Sequence, residues 1–513
     1  MSTLTLARVG LNSSVPGSFC RPRQQRMIQA TTRLGPRRTT APSHVDGRKS
    51  TLARGTPPPG RRTRRLASMT VSMVAAREEG KREEDSAAQS GESIDVAIAG
   101  GGPAGLAAAL AVRAALPGVS VKVFEAASEN REHGAGVLMN INGWRALQSI
   151  APAAVPILDE KARALQSMVW HDEAGNEMRK VSPFDSEASM AEFGYAQKIA
   201  SWYDIRNTLY DLLPPDTVEF CSKIQGMNAQ ADGSVRISVS GSADEGHAHE
   251  REINAKVLIG ADGYFSRIRE HTIADGPPDF TGRLTWRGRV TLPPGDGGIG
   301  DKLAEQAGSA NLYIDAANFG KGRSAIIYPL QDSTYVFTAN CPVSHLEQLG
   351  MTFEPFKSKS SAMSLQADDD GTDDDTGKSR CLKAMGDYPQ LVLDVIQATP
   401  DPVVTEHGYY IRPADSLPDD GWCTGGITLV GDAAHLAPPD GQGLNLALED
   451  AAVLGWHLKQ EGTLSVDALR SYERERSPRV EAILSLPEIN PDRQKIIIEN
   501  VVHPIVDNEV AVS

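Results

Sequence analysis

The sequence feature that most constrains the fold is a strand, a glycine loop and a helix that follow one another near residue 100. Residues Ile94–Ala99 form a short apolar run of the kind seen in buried parallel strands. The sequence GGGPAG at 100–105 follows, and Leu106–Leu116 then has the composition of a helix. A second strand is predicted over Val119–Phe124 and ends at Glu125. Together these segments predict an α/β fold that begins with a strand–helix–strand unit.

Three glycines in this loop, Gly100, Gly102 and Gly105, match the spacing G-x-G-x-x-G. In such a loop the first glycine permits a tight turn, the second lets a pyrophosphate approach the backbone, and the third lets the helix pack closely. The free N–H groups at the helix start then face the phosphates. Glu125 lies where an acidic side chain accepts hydrogen bonds from an adenosine ribose, which favours FAD or NAD over NADP. A plain structural turn is the alternative for the glycines alone, but the flanking strand, helix and acid favour a dinucleotide site.

Charge divides the chain of 513 residues into a basic head and an acidic body. Residues 1–76 hold thirteen arginines, one lysine and a single acid, Asp46, a net charge of +13. Because the whole chain carries −14, the remainder carries −27, a charge that repels nucleic acid and anionic lipid. The head is rich in Ser, Thr, Arg and Pro, which predicts a transit peptide for a plastid (chloroplast), with a mitochondrial presequence or a disordered basic tail as alternatives.

The remaining composition excludes several classes of protein. Five cysteines are scattered without a C-x-x-C pair, which argues against a disulfide framework and a zinc site. No apolar run is long enough to span a bilayer. His435 has no second ligand at metal spacing, so no metal site is predicted. Residues 357–378 contain an acidic block, which predicts a disordered, solvated loop rather than a cation site.

The middle of the chain is predicted to be rich in strands. Alternating apolar and polar residues predict one hairpin over Val218–Ala229 and Ser234–Ser240, and another over Ser324–Leu330 and Thr334–Ala339. Val169–His171 is predicted to be an edge strand. These segments interrupt the α/β pattern and therefore indicate an inserted domain.

A second strand, glycine loop and helix follow one another near the other end of the chain, as they do near residue 100. The apolar strand Ile427–Val430 runs into a loop rich in glycine and proline, and a helix is predicted to start near Gly443 or Leu444. The helix N-terminus is again expected to face an electron-rich group. Asp432, at the end of the strand, is placed to bind a polyol hydroxyl.

The order of these motifs resembles the FAD-dependent monooxygenases of the aromatic-hydroxylase superfamily, also called class A flavoprotein monooxygenases. The resemblance covers about 93–480 and is carried by three ordered pieces: Gly100–Gly105 with Glu125; Ala261-Asp262-Gly263 with Ser266 and Arg269; and Gly431-Asp432-Ala433-Ala434-His435 through Asn445 to Glu449-Asp450. Further matches are Arg131, Gly134-Ala135-Gly136, Arg206 and Trp286-Arg287-Gly288.

The resemblance implies an FAD-binding, Rossmann-like domain of the GR2 (para-hydroxybenzoate-hydroxylase) type with an inserted strand-rich substrate domain. The implied domains are a transit peptide at 1–76, a linker at 77–92, FAD-binding parts at about 93–170, 200–275 and 405–480, substrate parts at about 170–200 and 276–404, and a C-terminal tail at 481–513.

The resemblance also implies which residues bind FAD and substrate. The implied FAD contacts are Gly100, Gly102, Ala104, Gly105, Glu125, Arg131, Ala135, Gly136, Arg206, Asp262, Asp432, Gly443, Leu444 and Asn445. Arg287 and Tyr328 are implied to lie near the substrate as catalytic residues. One departure from the family pattern is the loop between His435 and Gly441, which is one residue shorter than usual.

The implied reaction uses NADPH or NADH to reduce the flavin and O₂ to form a C4a-hydroperoxide. The distal oxygen then hydroxylates or epoxidises a small organic substrate, either aromatic or isoprenoid. Two alternatives use the same FAD scaffold. One is a plastid flavin-dependent reductase or desaturase of isoprenoids, and the other is a non-catalytic flavin-binding protein.

Overall fold

Strands and helices alternate along most of the described chain in this computed structural model. The described residues are 92–129, 136–181, 186–241, 250–295, 297–306, 308–318, 320–353, 376–414, 417–418, 421–437, 441–486, 490–499 and 502–506. The predicted leader (1–76), nearly all of the predicted linker (77–92) and most of the predicted acidic loop (357–378) lie outside them.

The elements are numbered in chain order. The strands are β1 (Glu92–Ala99), β2 (Val121–Phe124), β3 (Gly136–Met139), β4 (Arg163–Ala164), β5 (Ser167–His171), β6 (Glu177–Val181), β7 (Lys198–Ser201), β8 (Val218–Glu219), β9 (Lys223–Ala229), β10 (Val235–Ser240), β11 (Glu250–Gly260), β12 (Asp279–Thr291), β13 (Ser309–Ile314), β14 (Ser324–Pro329), β15 (Thr334–Pro342), β16 (Thr405–Ile411) and β17 (Ile427–Leu429). The helices are α1 (Pro103–Ala115), α2 (Ile141–Ile150), α3 (Ala154–Lys161), α4 (Ser186–Phe193), α5 (Trp202–Asp211), α6 (Arg267–Thr272), α7 (Ile299–Glu305), α8 (Val343–Gln348), α9 (Gly377–Ala384), α10 (Gln390–Ala398), α11 (Gly443–Glu461), α12 (Val466–Leu484) and α13 (Pro491–Ile498).

A mostly parallel sheet holds both glycine loops. Strand β1 lies between β2 and β11, and β8 and β17 extend the parallel pairing on either side, in the order β8-β2-β1-β11-β17. The apolar residues Val96, Ala97 and Ile98 are fully buried, as expected for a strand covered on both faces. Helix α1 begins with Pro103, which suits the first helical position, and its alanines pack closely beneath the sheet.

The first predicted hairpin is present as β9 and β10, which pair in antiparallel orientation. Strand β10 also pairs in antiparallel orientation with residues 250–255 of β11. The first two residues of the predicted strand, Val218 and Glu219, instead pair in parallel with β2. The predicted strand at Val218–Ala229 is therefore divided into β8 and β9.

A second seven-stranded sheet forms the insertion, in the order β16-β12-β15-β14-β13-β5-β6. One of its faces carries Leu284, Trp286 and Phe337, which belong to the same buried apolar cluster as Val392 and Val395 of α10. The prediction that Val169–His171 is an edge strand is wrong, because β5 lies between β13 and β6. The pairing of β5 with β13 joins residues far apart in the sequence, and no local pattern indicates it.

A small sheet, β3-β7-β4, lies against the opposite face of the second sheet. Ile199 of β7 and Leu138 of β3 pack with Tyr328 and Val336 in a separate apolar cluster. This cluster joins the insertion to the part of the chain that follows the first glycine loop.

Two predicted domain boundaries fall at different points in the structure. Strand β16, at 405–411, lies within the implied FAD-binding part but pairs with β12 in the second sheet. The boundary at 480 falls inside α12, which continues to Leu484. Both differences arise because long-range pairing and helix length, rather than a change in composition, set these limits.

Candidate active site

The parallel sheet brings four loops to one edge. Ala99 of β1 lies opposite Gly260 of β11 and Phe124 of β2, and Gly260 lies opposite Leu429 of β17. Because these strands are parallel, the segments that leave their carboxyl ends emerge on the same side of the sheet. Open α/β sheets bind their ligands at this edge.

The glycines of the first loop are required for two different reasons. Gly100 has a φ of +105°, and a Cβ there would lie 2.5 Å from the carbonyl oxygen of Ala261. A Cβ at Gly105 would lie 2.0 Å from the carbonyl oxygen of Gly100, so this glycine allows the helix to approach the turn. At Gly102 no atom of the described residues lies within 4 Å of an added Cβ. Gly102 therefore borders open space, as expected for backbone that a ligand approaches.

The N–H groups of Gly102, Ala104 and Gly105 have no hydrogen-bond partner among the described residues. They lie at the N-terminus of α1, where the helix dipole favours an anion. The loop therefore presents donors in a form that suits a pyrophosphate.

Glu125 and Arg206 support the first glycine loop. The carboxylate of Glu125 accepts hydrogen bonds from the N–H of Gly101, at 2.7 Å, and from the N–H of Ala127, at 2.8 Å. Arg206 is buried, and its Nε donates to the carbonyl oxygen of Gly101 at 2.7 Å. Burial lowers the pKa of Arg206, while Glu125, 3.9 Å away, opposes this shift. Arg206 thus reaches the first glycine loop through the backbone of Gly101.

The second glycine loop lies against the first. A Cβ at Gly431, which has a φ of +60°, would lie 3.0 Å from Cβ of Ala104 and 3.2 Å from Cβ of Ala447. The loop after β17 is therefore wedged between α1 and α11. The two motifs, more than three hundred residues apart in the sequence, form one site.

Asp432 is the main polar group of the second loop. Its carboxylate has no hydrogen-bond partner among the described residues, and burial raises its pKa, while His435 and Arg287 oppose this shift. Oδ1 of Asp432 lies 3.7 Å from the position of a Cβ on Gly443, at the start of α11. In the described part of the chain the N–H groups of Gly443, Leu444 and Asn445 also lack partners. An unpaired acceptor and unpaired donors thus lie next to each other.

Asn445 has a structural role in addition to its place at the helix start. Its side chain accepts a hydrogen bond from the N–H of Asn140, at 2.9 Å, and donates to the carbonyl oxygens of Leu138 and Gly441. These bonds tie α11 to β3. Gly143 makes the approach possible, since a Cβ there would lie 2.0 Å from the side-chain oxygen of Asn445.

An ionic cluster lies behind the second loop, formed by His435, Glu449, Asp450, Arg476 and Arg479. Asp450 accepts hydrogen bonds from the N–H of Gly431, at 2.8 Å, from Nε2 of His435, at 2.6 Å, and from Nε of Arg476, at 2.8 Å. Glu449 is bound by Arg476 and Arg479. The pKa of Asp450 is lowered to about 2, because His435 and Arg476 outweigh its burial.

The site face is the side of the second sheet that carries Arg287, Thr338, Tyr328 and His407. Arg287 lies opposite Thr338 on β15, and Tyr328 lies on the adjacent strand β14. Arg287 is half-buried, and its guanidinium has no hydrogen-bond or ion-pair partner among the described residues. It is close enough to Asp432 and Tyr328 to influence the pKa of both groups. The predicted substrate residues and the second glycine loop therefore lie in one neighbourhood.

Tyr328 and Gly136 connect the site face to β3. The hydroxyl of Tyr328 donates to the carbonyl oxygen of Gly136 at 3.1 Å, and a Cβ at Gly136 would lie 2.5 Å from the ring. Burial raises the pKa of Tyr328 to about 12, so its hydroxyl is protonated at neutral pH. Arg131 and Ala135, also predicted here, lie outside the described residues.

Aromatic side chains border the site on the side of α6. The ring centroid of Tyr264 lies 4.6 Å from that of Phe265 and 5.9 Å from that of Tyr410. The pKa of Tyr264 is raised by burial, and both Arg287 and Asp432 influence it. The site therefore combines one unpaired cation with aromatic surface.

Asp262 follows β11 at the same edge of the sheet, but its side chain is directed at the protein. It accepts hydrogen bonds from Oγ of Ser266, at 2.5 Å, and from the N–H of Arg267, at 2.8 Å. Burial raises its pKa, and these hydrogen bonds oppose the shift. Arg269 follows on α6 and donates to the carbonyl oxygens of Ala433 and Ala434. The motif thus holds the second loop in place.

No sequence pattern indicates a role for His407, which the structure places on the site face. A single histidine in a strand has no local signature. The ionic cluster was visible only as the acidic pair Glu449-Asp450 and an arginine-rich helix, whose contact depends on the packing of α11 against α12. In the described part of the chain no group of three or more His, Cys, Asp or Glu residues is arranged to hold a metal ion. No helix of that part is long and apolar enough to cross a membrane.

The site fits FAD on structural grounds. Unpaired N–H groups at α1 suit the pyrophosphate, the carboxylate of Glu125 suits a ribose, and the unpaired carboxylate of Asp432 suits a polyol chain. The unpaired N–H groups at the start of α11 suit the electron-rich edge of a flavin ring.

Comparisons with known proteins agree with this geometry. The family described as FAD binding domain matches residues 413–486. The 3-amino-4-hydroxybenzoate 2-monooxygenase PtmB3 of Streptomyces platensis is 26% identical over 392 residues, which cover 76% of this chain and 85% of the relative. The 3-hydroxybenzoate 6-hydroxylase 1 of Aquipseudomonas alcaligenes is 27% identical over 403 residues, 75% of this chain and 85% of the relative.

A solved structure shares the fold. The crystal structure of Klebsiella pneumoniae HpxO complexed with FAD and uric acid superposes with a TM-score of 0.55 and 22% identity, covering 79% of this chain and 88% of that one. The matched family, the relatives and the shared fold confirm the resemblance seen in the sequence. This chain is an FAD-dependent oxidoreductase, and it is similar to flavoprotein monooxygenases of the aromatic-hydroxylase type.

Proposed function

We propose that this protein uses NAD(P)H and O₂ to hydroxylate a small aromatic acid. The observation that carries the proposal is Arg287, a half-buried cation near Asp432 of the second glycine loop that has no partner among the described residues. Burying a cation without a partner costs free energy, so such a group is best explained by an anionic ligand. Arginine binds carboxylates through a planar, bidentate set of donors.

The aromatic part of the substrate is assigned to the ring surface beside Arg287. Tyr264 and Phe265 border this space, and aromatic rings favour offset or edge contacts with another ring. Two of the relatives are named for hydroxylation of amino- or hydroxybenzoates. Hydroxylation of an aromatic acid is therefore preferred over epoxidation of an isoprenoid, and these relatives do not favour a reductase, a desaturase or a non-catalytic protein.

The residues of the chain divide the work of holding cofactor and substrate. When bound, reduced FAD supplies the reaction with O₂ and the oxygen transfer. Gly102, Ala104 and Gly105 bind the pyrophosphate, Asp432 binds the ribityl chain, and the N–H groups at Gly443 to Asn445 stabilise negative charge on the ring. Arg287 fixes the substrate carboxylate, which orients the ring for attack. The hydroxyl of Tyr328 donates to the carbonyl oxygen of Gly136 and ties the site face to β3.

Oxygen uptake with labelled O₂ tests the proposal. Purified protein is mixed with FAD, NADPH or NADH, and a panel of benzoates, and product is analysed after reaction under ¹⁸O₂. The expected result is substrate-dependent O₂ consumption with one ¹⁸O atom in the hydroxylated product. Oxidation of NAD(P)H without substrate-dependent O₂ uptake would instead indicate a reductase.

We also propose that residues 1–76 direct the protein to a plastid. The support is the charge contrast between this segment and the acidic remainder. Fluorescent protein fused to residues 1–76 is expected to enter chloroplasts. Fluorescence in mitochondria, or throughout the cell, would contradict this assignment.

A further inference from the structure

We propose that His407 determines substrate specificity by hydrogen-bonding a hydroxyl or amino group on the ring of the aromatic acid that Arg287 holds. This inference rests on the proposed function, since Arg287 must bind the acid group of the same molecule. It adds a second recognition point and restricts the substrates to benzoates that carry a polar substituent away from the carboxylate.

Strand register places His407 on the site face. His407 lies opposite Thr285, and Thr405 lies opposite Arg287, so His407 and Arg287 are diagonal neighbours on adjacent antiparallel strands. Directly opposed side chains share a face of the sheet. A hydrogen bond of 2.7 Å between Thr285 and Asn340 supports this orientation. The hydrogen bond from Trp286 to Glu406 lies between residues of the alternate set, on the other face.

The spacing of the two side chains matches a substituted ring. Diagonal neighbours on two strands have Cα atoms about 7–8 Å apart, and long side chains still reach one another across this distance. A group bound by His407 would therefore be separated from the carboxylate on Arg287 by roughly the width of a ring. Meta and para substituents satisfy this spacing, whereas an ortho substituent lies beside the carboxylate.

The imidazole of His407 is available for a ligand. His407 is half-buried and has no hydrogen-bond partner among the described residues. Burial, and then the nearby charge of Arg287, lower its pKa to about 3. The ring is therefore neutral at physiological pH and offers one N–H donor and one nitrogen acceptor.

The lowered pKa also makes His407 a poor general base. Efficient proton transfer requires a catalytic pKa near the working pH, and that of His407 lies far below it. Its contribution is therefore recognition. A site built around a polar group discriminates against ligands that leave it unpaired, so we expect about tenfold or greater preference for substituted benzoates.

Ligand titrations of the full-length holoenzyme test the assignment. Binding of benzoate and of 2-, 3- and 4-hydroxybenzoate is followed by changes in flavin absorbance. Wild-type protein is expected to prefer 3- or 4-hydroxybenzoate over benzoate by about tenfold in Kd. In His407→Phe this preference disappears, whereas the Kd of benzoate changes less than about threefold and KM rises more than kcat falls.

Two further variants separate recognition from packing. His407→Gln keeps a donor and an acceptor and is expected to retain most of the preference. The matched control His457→Phe, at a half-buried histidine bound to Glu475, leaves the preference unchanged. If His407→Phe does not bind FAD, His407→Leu provides the same comparison.

An unchanged preference in His407→Phe or His407→Leu would overturn the inference. If the wild type binds no benzoate at all, or if Arg287→Met binds them as well as the wild type does, the proposed function fails and takes this inference with it. The two kinds of failure are distinguishable. An unchanged preference in the His407 variants leaves benzoate binding dependent on Arg287, whereas failure of the proposed function removes that dependence.

Discussion

The ionic cluster behind the second glycine loop and the site face in front of it handle buried charge in opposite ways. In the cluster, Glu449 and Asp450 are paired with Arg476 and Arg479, and Asp450 also binds His435. On the site face, neither Arg287 nor His407 has a partner in the described part of the chain. Paired charges hold a scaffold in one arrangement, whereas unpaired ones are kept for a ligand.

The two regions are linked through the second loop. Asp450 binds the N–H of Gly431, and the next residue, Asp432, carries the unpaired carboxylate that faces the site. The ionic cluster therefore positions the carboxylate of Asp432 without neutralising its charge. If this division is correct, mutations in the cluster should change stability first, and mutations on the site face should change ligand binding first.

The largest effect is expected from Arg476→Leu. This substitution leaves two buried carboxylates without their main cation, and breaking a buried ion pair in this way costs about 3–5 kcal/mol. Urea unfolding measures the loss. The control Arg236→Leu breaks an exposed pair with Glu252 and should cost less than about 1 kcal/mol. Equal losses in both variants would contradict the role assigned to the cluster.

Glu473 sharpens the comparison, because it is a buried scaffold carboxyl outside the cluster. Its Oε1 has no partner among the described residues, and burial raises its pKa to about 8 from an unfolded value of 4.5. The folded state therefore holds a proton that the unfolded state releases, so stability falls as pH rises from about 4.5 to 8.

Glu473→Gln should remove this slope, so that between pH 5 and pH 9 its stability rises relative to that of the wild type by about 4 kcal/mol. Urea unfolding at pH 5, 7 and 9 measures the difference between the two proteins. Glu461→Gln, at the exposed end of α11, serves as the control and should give a profile parallel to that of the wild type. A parallel profile for Glu473→Gln would show that the carboxyl is ionised in the fold.

On the site face, Arg287→Met should weaken binding of an aromatic acid by about a hundredfold while the free energy of unfolding stays the same or rises slightly. The reason is that Met keeps the apolar volume and removes a cation that no group of the described residues compensates. Flavin difference spectra measure substrate binding, and urea unfolding measures stability. A loss of stability comparable with that of Arg476→Leu would show that Arg287 stabilises the fold, as the residues of the ionic cluster do.

The smallest effect is expected from Gly102→Ala. Because φ at Gly102 is −75° and an added Cβ meets no described atom, the fold should tolerate the methyl within about 0.5 kcal/mol. The methyl would occupy space assigned to the pyrophosphate, so FAD affinity should fall about tenfold. Gly105→Ala is the contrasting variant, since its Cβ would lie 2.0 Å from backbone and should destabilise the fold itself. FAD titration and unfolding of both variants separate the two effects.

The sequence predicted the FAD-binding part well because its signals are local. The strand before Gly100, the glycine loop, and the helix start at Gly443 were each placed within a few residues. Their meeting at one edge follows from parallel strands, which the apolar runs indicated.

The parts that were missed depend on contacts between distant segments. The pairing of β5 with β13 joins Ser167 to Ser309, and no turn signal connects them. His407 reaches the site face only because β16 pairs with β12 in a particular register. Arg476 looks like a surface arginine in the sequence, and its burial depends on how α12 packs against α11. Such relations depend on tertiary structure, which spacing along the chain does not encode.

The most direct test of this account is a titration of the purified full-length protein with FAD, with flavin absorbance and fluorescence as the readouts. One FAD per chain is predicted for the wild type, with clearly weaker binding in Asp432→Ala at unchanged stability, because Asp432 bonds to no described protein group. A wild type that takes up no FAD, or an Asp432→Ala variant that binds it equally well, would contradict the claim that the two glycine loops form one flavin site.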